Sequence, residues 1–271
     1  MKHEPSQPLL PNFLEAIVLE KQQNLAKKKE ALPLSYWEKK IKAIPDGPSF
    51  YQKLKEDSAF HVICEIKKAS PSQGKIQETC YPPQQAQCYE KGGASAISVL
   101  AEEAFFHGSP KDVWLVRQKT SLPLLYKDFI IDPYQLYEAK AMGADIILII
   151  ATLLTKEEII AFCAIAKACH LDVLLELHDE ADLAKIPFDI PLIFGINNRD
   201  LNTFYINLET SFTLKSYLPD NALIISESGI KTPAFCRDLY KKGFRGALIG
   251  ELFMRSSDPT RLLKKFLAEV Q

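Results

Sequence analysis

The sequence lacks the features that mark a zinc-binding, secreted or membrane-spanning protein. Its six cysteines are scattered, with no Cys-x-x-Cys pair and no histidine at finger-like spacing, which argues against a structural zinc site. No apolar run approaches the length of a membrane span, and the polar, proline-containing first residues do not resemble a secretory signal. We therefore expect reduced cysteines, a cytoplasmic location and no membrane partner.

An excess of charge of one sign is also missing. The 33 basic and 34 acidic residues leave a formal net charge of −1. The lysine clusters at 27–29 and 39–40 lie among helix-forming residues with glutamates nearby, a pattern typical of a solvated helix face. We expect no nucleic-acid partner. With 47% hydrophobic and 25% charged residues, a chain of 271 residues can bury one large core.

After the first fifty residues, short apolar runs alternate with helical segments, which is the pattern of parallel strands joined by crossover helices. Eight runs have this character: 61–66, 96–100, 122–126, 145–150, 173–177, 192–196, 222–226 and 247–249. Their near-continuous apolar character suits strands that are covered on both faces.

The helices between these runs carry start and stop signals. A capping residue followed by proline marks four starts, at Ser109, Asp132, Thr232 and Asp258. Thr155 and Glu158 have the spacing of a capping box. Glycines stand where three helices should end, at Gly92, Gly143 and Gly243.

Eight strands alternating with helices predict an α/β fold, a (β/α)₈ or TIM barrel over residues 51–271. A long helical pattern from about 12 to 32 and a short one from 36 to 44 predict an N-terminal helical extension, residues 1–50, that packs on the barrel. An open, doubly wound sheet is the main competitor. That fold would place a Gly-x-Gly-x-x-Gly turn after the first strand, and none is present there.

Polar residues follow most of the predicted strands. Catalytic groups of such barrels come from the carboxyl ends of several strands, so these residues are candidates for an active site. One charged residue can simply be leaving the core for solvent, but six strand ends together predict a site. The residues are Glu65, Lys67, Glu102, Lys127, Asp128, Glu176, His178, Asn197, Arg199, Glu227 and Ser228.

Two features of these residues bear on proton transfer. Glu65 and Lys67 are two positions apart on an extended strand, so their side chains point to the same side. A structural ion pair and a catalytic pair are both consistent with that spacing. Lys127 and Glu176 follow apolar runs, where low-dielectric surroundings make pKa tuning feasible.

Glycine-containing turns follow the last two predicted strands, at 226–230 and 249–252. Barrels often hold a phosphate at this place on backbone N–H groups, and glycine lets the backbone approach closely. The sequence predicts a phosphate site there. The alternative, that these glycines only turn the chain, stays open.

Six segments closely resemble indole-3-glycerol phosphate synthases, in that family's order. They are 65–72 (EIKKASPS), 96–100 (AISVL), 105–109 (FFHGS), 127–134 (KDFIIDPY), 195–201 (GINNRDL) and 226–230 (SESGI). The resemblance extends from the N-terminal helical pattern to Pro259, and so many ordered motifs make it specific. Tyr126 and Ala101 depart from residues that are frequent in the family, arginine and threonine respectively.

The resemblance implies a carbon–carbon lyase of tryptophan biosynthesis. Its substrate would be 1-(2-carboxyphenylamino)-1-deoxyribulose 5-phosphate, and the reaction would close a ring, lose carbon dioxide and lose water. The family implies no cofactor and no metal, and we expect a monomer.

The family's motifs also imply roles for individual residues. Lys127 is expected to be the general acid of ring closure. Glu176 is expected to stabilise the cationic intermediate or to accept the ring proton, and Glu65 and Glu176 share or divide the role of base. Lys67 is expected to hold an anionic group of the substrate or to act as an acid when water leaves. Asn197 completes the catalytic set implied by the family. The implied substrate-binding residues are Ser70, Phe129, Arg199, Glu227, Ser228, Gly229, Gly250 and Glu251, the last through its backbone N–H alone.

Two other functions remain open. A phosphoribosylanthranilate isomerase would need a Cys and Asp acid–base pair, and Cys64 lies where its cysteine would be sought. That interpretation leaves Lys127 and Glu176 without a role. A catalytically silent barrel kept as a binding subunit is the second, although such a protein would be expected to have lost a charged catalytic residue.

Overall fold

The computed structural model describes residues 13–70, 74–75 and 81–270. Within these residues eight parallel strands form a closed barrel in chain order, and the last strand pairs with the first through His61 and Gly246. The predicted (β/α)₈ barrel is confirmed, and each strand lies within two residues of its expected bounds. The strands are β1 (His61–Ile66), β2 (Ala96–Leu100), β3 (Leu124–Lys127), β4 (Ile146–Ile150), β5 (Asp172–Leu177), β6 (Ile193–Asn197), β7 (Leu223–Glu227) and β8 (Gly246–Ile249).

Helices follow the strands and surround the barrel. They are α1 (Phe13–Ala31), α2 (Leu34–Ile41), α3 (Phe50–Glu56), α4 (Pro82–Gly92), α5 (Pro110–Arg117), α6 (Pro133–Ala141), α7 (Lys156–Ala168), α8 (Glu180–Leu183), α9 (Glu209–Lys215), α10 (Pro233–Lys241), α11 (Glu251–Met254) and α12 (Pro259–Val270). A short ribbon after β1 pairs Ala69–Ser70 with Gly74–Lys75. None of the helices in the described ranges has the length and apolar character needed to cross a bilayer.

Helix capping follows the sequence signals closely. The side chains of Ser109, Asp132 and Thr232 accept backbone N–H bonds at the starts of α5, α6 and α10. Thr155 and Glu158 form the expected capping box at the start of α7. These local bonds satisfy N–H groups that a helix start leaves without partners.

The core has two layers because successive side chains on a strand point to opposite faces. Val62 and Cys64 face outward and pack with the surrounding helices. Ile63 faces inward, where it packs with inward residues of the other strands, such as Leu125 and Ile225. Phe50 and Leu54 of α3 are fully buried and belong to this inner layer.

The N-terminal helices pack against the barrel at two places. Ile17 of α1 joins the inner core layer. Leu25 of α1 and Trp37 of α2 form a separate cluster with Tyr134 and Ala141 of α6. The proposed domain boundary at residue 50 falls at the first residue of α3, and the division into extension and barrel stays a prediction.

Candidate active site

The strand pleat explains how the charged residues meet at the mouth of the barrel. Inward positions recur every second residue, so the position above an inward core residue also faces the barrel axis. Glu65 follows Ile63 in this way, Lys127 follows Leu125, and Glu227 follows Ile225. On each of these three strands, the inward side chains are therefore apolar in the core and charged at the carboxyl end.

The predicted site residues lie together. All those given catalytic or substrate-binding roles line one cavity at the barrel mouth except Ser70, whose side chain lies outside the described part of the chain. Of the other strand-end candidates, Asp128 also lines this cavity, whereas Glu102 and His178 do not. Those lining it are Glu65, Lys67, Lys127, Phe129, Glu176, Asn197, Arg199, Glu227, Ser228, Gly229, Gly250 and Glu251. Their individual roles stay predictions.

Lys127 lies between two carboxylates in this cavity. Its Nζ donates to Glu176 Oε2 and to Glu227 Oε2, at 2.8 Å in each case. The two glutamate side chains are 2% and 1% exposed, so the ion pairs lie almost out of water. Burial alone would lower the pKa of Lys127, but the carboxylates of Glu176 and Glu227 outweigh it and raise that pKa. The lysine is held as an ammonium.

The two carboxylates around Lys127 differ in their partners. Glu176 Oε1 accepts from Asn197 Nδ2 at 3.1 Å and is 2.8 Å from His178 Nε2. Burial raises its pKa, but Lys127 and His178 outweigh burial and hold the pKa below its ordinary value. Glu176 is therefore the ionised member of the pair.

Glu227 is the more basic of the two carboxylates. Its Oε1 is buried and has no hydrogen-bond partner among the described residues. Burial, followed by repulsion from Glu176, raises the pKa of Glu227 to about 7 against the pull of Lys127. Gly195 on the adjacent strand makes this position possible, because a Cβ there would collide with Glu227 Oε1. The two carboxyl groups that share one ammonium therefore differ in pKa.

Glu65 and Lys67 form an ion pair on β1 and the loop that follows it. The Glu65 side chain is 5% exposed and that of Lys67 is 20% exposed. Both line the cavity, and repulsion from Glu65 also contributes to the raised pKa of Glu227. The two side chains form an ion pair and also line the cavity. A structural pair and a catalytic pair therefore both stay open as interpretations.

A hydrogen-bonded network behind β6 and β7 holds the next loop. Asn198 Nδ2 donates to Ser226 Oγ and to the backbone carbonyl of Ser228, each at 3.1 Å. Asn198 Oδ1 accepts from Ser211 Oγ at 2.8 Å. Ser228 has a φ of 67° and Gly229 a φ of 79°, so two successive residues adopt left-handed backbone. Asn198 fixes this turn at the edge of the cavity.

The end of the cavity near β7 and β8 is lined by two glycines, a serine and a lysine. Ser228, Gly229 and Gly250 lie there, together with Lys231, which the sequence analysis missed. The carboxylate of Glu251 accepts from Arg255 Nε at 3.0 Å, one turn along its own helix. This contact directs the side chain to Arg255, in keeping with the expected use of the Glu251 backbone alone.

The opposite side of the cavity is aromatic. Phe129 and Phe106 have ring centroids 6.1 Å apart, and both line the cavity. Phe13 of α1 packs edge-on against Phe204 at 4.8 Å and against Phe105 at 5.4 Å. Only Phe129 was predicted, because the other rings come from separate loops and from α1. The cavity suits a ligand with a ring at one end and an anionic group at the other.

Two of the strand-end candidates, His178 and Asp128, have no assigned role but contact other parts of the site. His178, at the inward position after Glu176, contacts that carboxylate directly. Asp128, beside Lys127, pairs with Lys21 of α1 at 2.7 Å, and both side chains are buried. The strand-end pattern identified His178 and Asp128 as polar, but their partners are distant in sequence.

Cys64 lies apart from the cavity. It is fully buried in the layer between strands and helices, and burial raises the pKa of its thiol well above the ordinary value. A thiol in this position is a poor acid or base at neutral pH. The described residues contain no group of three or more His, Cys, Asp or Glu arranged to hold a metal ion.

Comparisons with known proteins agree on one family. The family model described as "Indole-3-glycerol phosphate synthase" matches residues 14–266. The indole-3-glycerol phosphate synthase of Bacteroides thetaiotaomicron is 39% identical over 97% of this chain and 100% of its own length. That of Carboxydothermus hydrogenoformans is 40% identical over 94% of this chain and 100% of its own. Among solved structures, the tryptophan synthase alpha subunit of Legionella pneumophila has a TM-score of 0.57 over 81% of this chain and 96% of its own, at 14% identity, which shows a shared fold alone.

Proposed function

The chain belongs to the indole-3-glycerol phosphate synthase family, and we propose that its barrel-mouth cavity carries out that reaction with Lys127 as general acid. It is a carboxy-lyase of tryptophan biosynthesis that acts on a phosphorylated small molecule. The substrate is 1-(2-carboxyphenylamino)-1-deoxyribulose 5-phosphate, and the product is indole-3-glycerol phosphate.

The observation that carries the assignment of Lys127 is its ammonium between two buried carboxyl groups. An ammonium has three N–H donors, and two of them are directed at Glu176 and Glu227. We assign the third to the substrate's ketone oxygen. As the ring carbon bonds to the ketone carbon, that oxygen takes the proton from Lys127 and leaves a neutral amine.

Loss of carbon dioxide then restores the aromatic ring, and loss of water completes the indole. Water leaves as the hydroxyl oxygen takes a second proton, for which Lys67 is positioned on the cavity wall. A proton leaves the intermediate at the same stage, and Glu176 and Glu65 are the acceptors proposed. Their burial beside lysines supports this role, because a carboxylate released from its ion pair in a dry site becomes a stronger base.

The two ends of the cavity support an orientation for the substrate. The aromatic ring lies against Phe129, and the phosphate lies at Ser228, Gly229 and Gly250, with the backbone of Glu251. Ser70 donates to the phosphate in this proposal. Arg199, Asn197 and Glu227 orient the hydroxyl and carboxylate groups between the two ends.

We propose a monomer as the working unit, as the sequence analysis expects. The buried positions of Cys64, Cys163, Cys169 and Cys236 support reduced thiols and a cytoplasmic location. Light scattering on the purified protein tests the first of these proposals, and a dimer would overturn it.

Indole fluorescence on adding the substrate, with a chelator present, tests the proposed function. We expect the signal to grow with the native chain and to stay at background with Lys127→Ala as the matched control. Folded protein that binds substrate without turnover would favour a silent binding barrel. Absence of both binding and turnover would overturn the assignment of substrate.

A further inference from the structure

His178 lies directly behind Glu176 and is absent from the roles proposed above. It occupies the next inward position after Glu176, just past the end of β5, with a side chain that is 9% exposed. Its Nε2 is 2.8 Å from Glu176 Oε1, and its Nδ1 is 3.2 Å from the backbone carbonyl oxygen of Arg199. One ring therefore joins β5 to the loop after β6.

Both partners of the His178 ring are hydrogen-bond acceptors. A backbone carbonyl oxygen cannot donate, and the Glu176 carboxylate already accepts from Lys127 and Asn197. A neutral imidazole has one N–H, so it satisfies only one of the two contacts. An imidazolium has two and satisfies both. The geometry therefore requires His178 to carry a positive charge.

The charges that surround His178 favour this state. Acidic groups come from its own strand (Glu176), from α8 (Asp182), from β7 (Glu227) and from the loop after β6 (Asp200). Asp182 also accepts the backbone N–H of His178 at 2.9 Å. Burial lowers the pKa of His178, but Glu176 and the other acidic groups outweigh burial and raise it. The cationic groups nearby are Lys127, which binds Glu176, Lys185, which pairs with Asp182, and Arg199.

We propose that His178 is a positioning residue that, as an imidazolium, holds the Glu176 carboxylate in place while Lys127 gives up its proton. When Lys127 protonates the ketone oxygen it becomes neutral, and Glu176 loses the cation that held it. The second cation then keeps Glu176 ionised and oriented, so that Oε2 stays available to accept the substrate proton. The proposal rests on the proposed function of Lys127 and Glu176.

Two conservative variants separate the two contacts of the ring. In His178→Gln the amide nitrogen takes the place of Nε2, so a donor to Glu176 remains without the charge. In His178→Asn the amide nitrogen takes the place of Nδ1, so the donor to the Arg199 carbonyl remains and Glu176 loses its partner. We expect His178→Asn to lower kcat by about tenfold to a hundredfold with KM nearly unchanged, the usual worth of a hydrogen bond to a charged group. His178→Gln should recover only part of that loss, because its amide restores a donor to Glu176 but not the positive charge.

The pH profile distinguishes this role from a structural one. Because the imidazolium is the active form, kcat of the native chain should fall as the pH rises through the raised pKa of His178. The profile of His178→Gln should lack that limb, because glutamine does not titrate. Equal kcat in the native chain and His178→Asn, both folded by circular dichroism, would overturn the proposal.

Nitrogen NMR of the protein labelled with ¹⁵N-histidine gives a readout that does not depend on activity. The chain has five histidines, and the resonances that disappear in His178→Gln belong to His178. We expect both of its ring nitrogens to be protonated at neutral pH. One unprotonated nitrogen would overturn the imidazolium even if the enzyme is active, whereas two protonated nitrogens in a chain that does not turn over would place the failure in the proposed function.

Discussion

The two ends of the barrel treat buried charge in opposite ways. At the amino end, Asp145 accepts from the backbone N–H of Leu124 at 2.9 Å and from Arg117 at 2.8 Å. Asp172, at the start of β5, accepts from the backbone N–H of Tyr51 at 2.8 Å. These carboxylates have fixed donors, and each hydrogen bond links two different parts of the chain.

At the carboxyl end, the donors are unevenly divided among three buried carboxylates. Glu65, Glu176 and Glu227 all act on the single ammonium of Lys127, and Glu227 Oε1 has no partner among the described residues. Such crowding is unfavourable for stability, since like charges in a low dielectric oppose ionisation. Buried charge at the amino end therefore stabilises the barrel, whereas buried charge at the carboxyl end serves the proposed proton transfers.

The largest effect expected from this difference is on turnover. Lys127→Ala removes the proposed general acid, and we expect kcat to fall by about 10²–10⁴-fold or to become unmeasurable. Binding of a phosphorylated product analogue should remain measurable, because the phosphate end of the cavity is unchanged. Stopped assays and calorimetric titration check the two parts. Turnover within a few-fold of the native chain would show that Lys127 is not the acid.

Asp145→Ala provides the matching change at the amino end. It leaves the half-buried Arg117 guanidinium without its carboxylate and the Leu124 N–H without an acceptor, so we expect the free energy of unfolding to fall by about 2–3 kcal/mol. The kcat of the fraction that remains folded should not change. Urea unfolding and the activity assay test this pair of outcomes. A large fall in kcat without loss of stability would remove the distinction between the two ends.

The sequence predicts this difference only in part. Eight apolar runs, the capping residues and the polar residues after six of the runs are local signals, and they are sufficient to predict the barrel and most of the cavity lining. Alternation along a strand also places Lys127 above Leu125. Local patterns therefore predict which side chains stand at the strand ends and in which direction they point.

Partners that are distant in sequence could not be predicted. Glu227 can take its buried position only because Gly195 on the neighbouring strand leaves room for it, which no motif of β7 indicates. His178 contacts a backbone carbonyl 21 residues away. Phe13 and Lys21 reach the mouth from α1, whose pairing with the barrel depends on the closed fold. Contacts of this kind determine the protonation states of the site residues. The sequence therefore predicts which residues form the site better than it predicts their protonation states.

Gly195→Ala tests the packing of the carboxyl end, because it adds a methyl group where there is no space for one. The added Cβ would collide with Glu227 Oε1 and approach Leu174 Cδ1 at 3.3 Å. We expect a loss of about 1–3 kcal/mol in stability, typical of an overpacked core, together with reduced turnover as Glu227 moves from Lys127. In a Glu227→Ala background the same substitution should cost less, because the colliding carboxylate is absent. Additive effects of the two substitutions on the melting temperature would contradict this account of Gly195.

The smallest expected effect is a change in the pH dependence of stability on replacing Glu227 by glutamine. The pKa of this carboxyl rises from 4.5 to about 7 on folding, so the folded protein binds an extra proton between these values. Its contribution to stability is therefore fully present below pH 4.5 and is lost as the pH rises through about 7. Other buried carboxyl groups with raised pKa values, such as Asp145, add the same trend to both proteins. The difference in melting temperature between the native chain and Glu227→Gln isolates Glu227, and it should shift in favour of the variant as the pH rises. Parallel curves across this range would mean that Glu227 is ionised like the carboxylates of the amino end, and the contrast between the two ends would then rest on Lys127 alone.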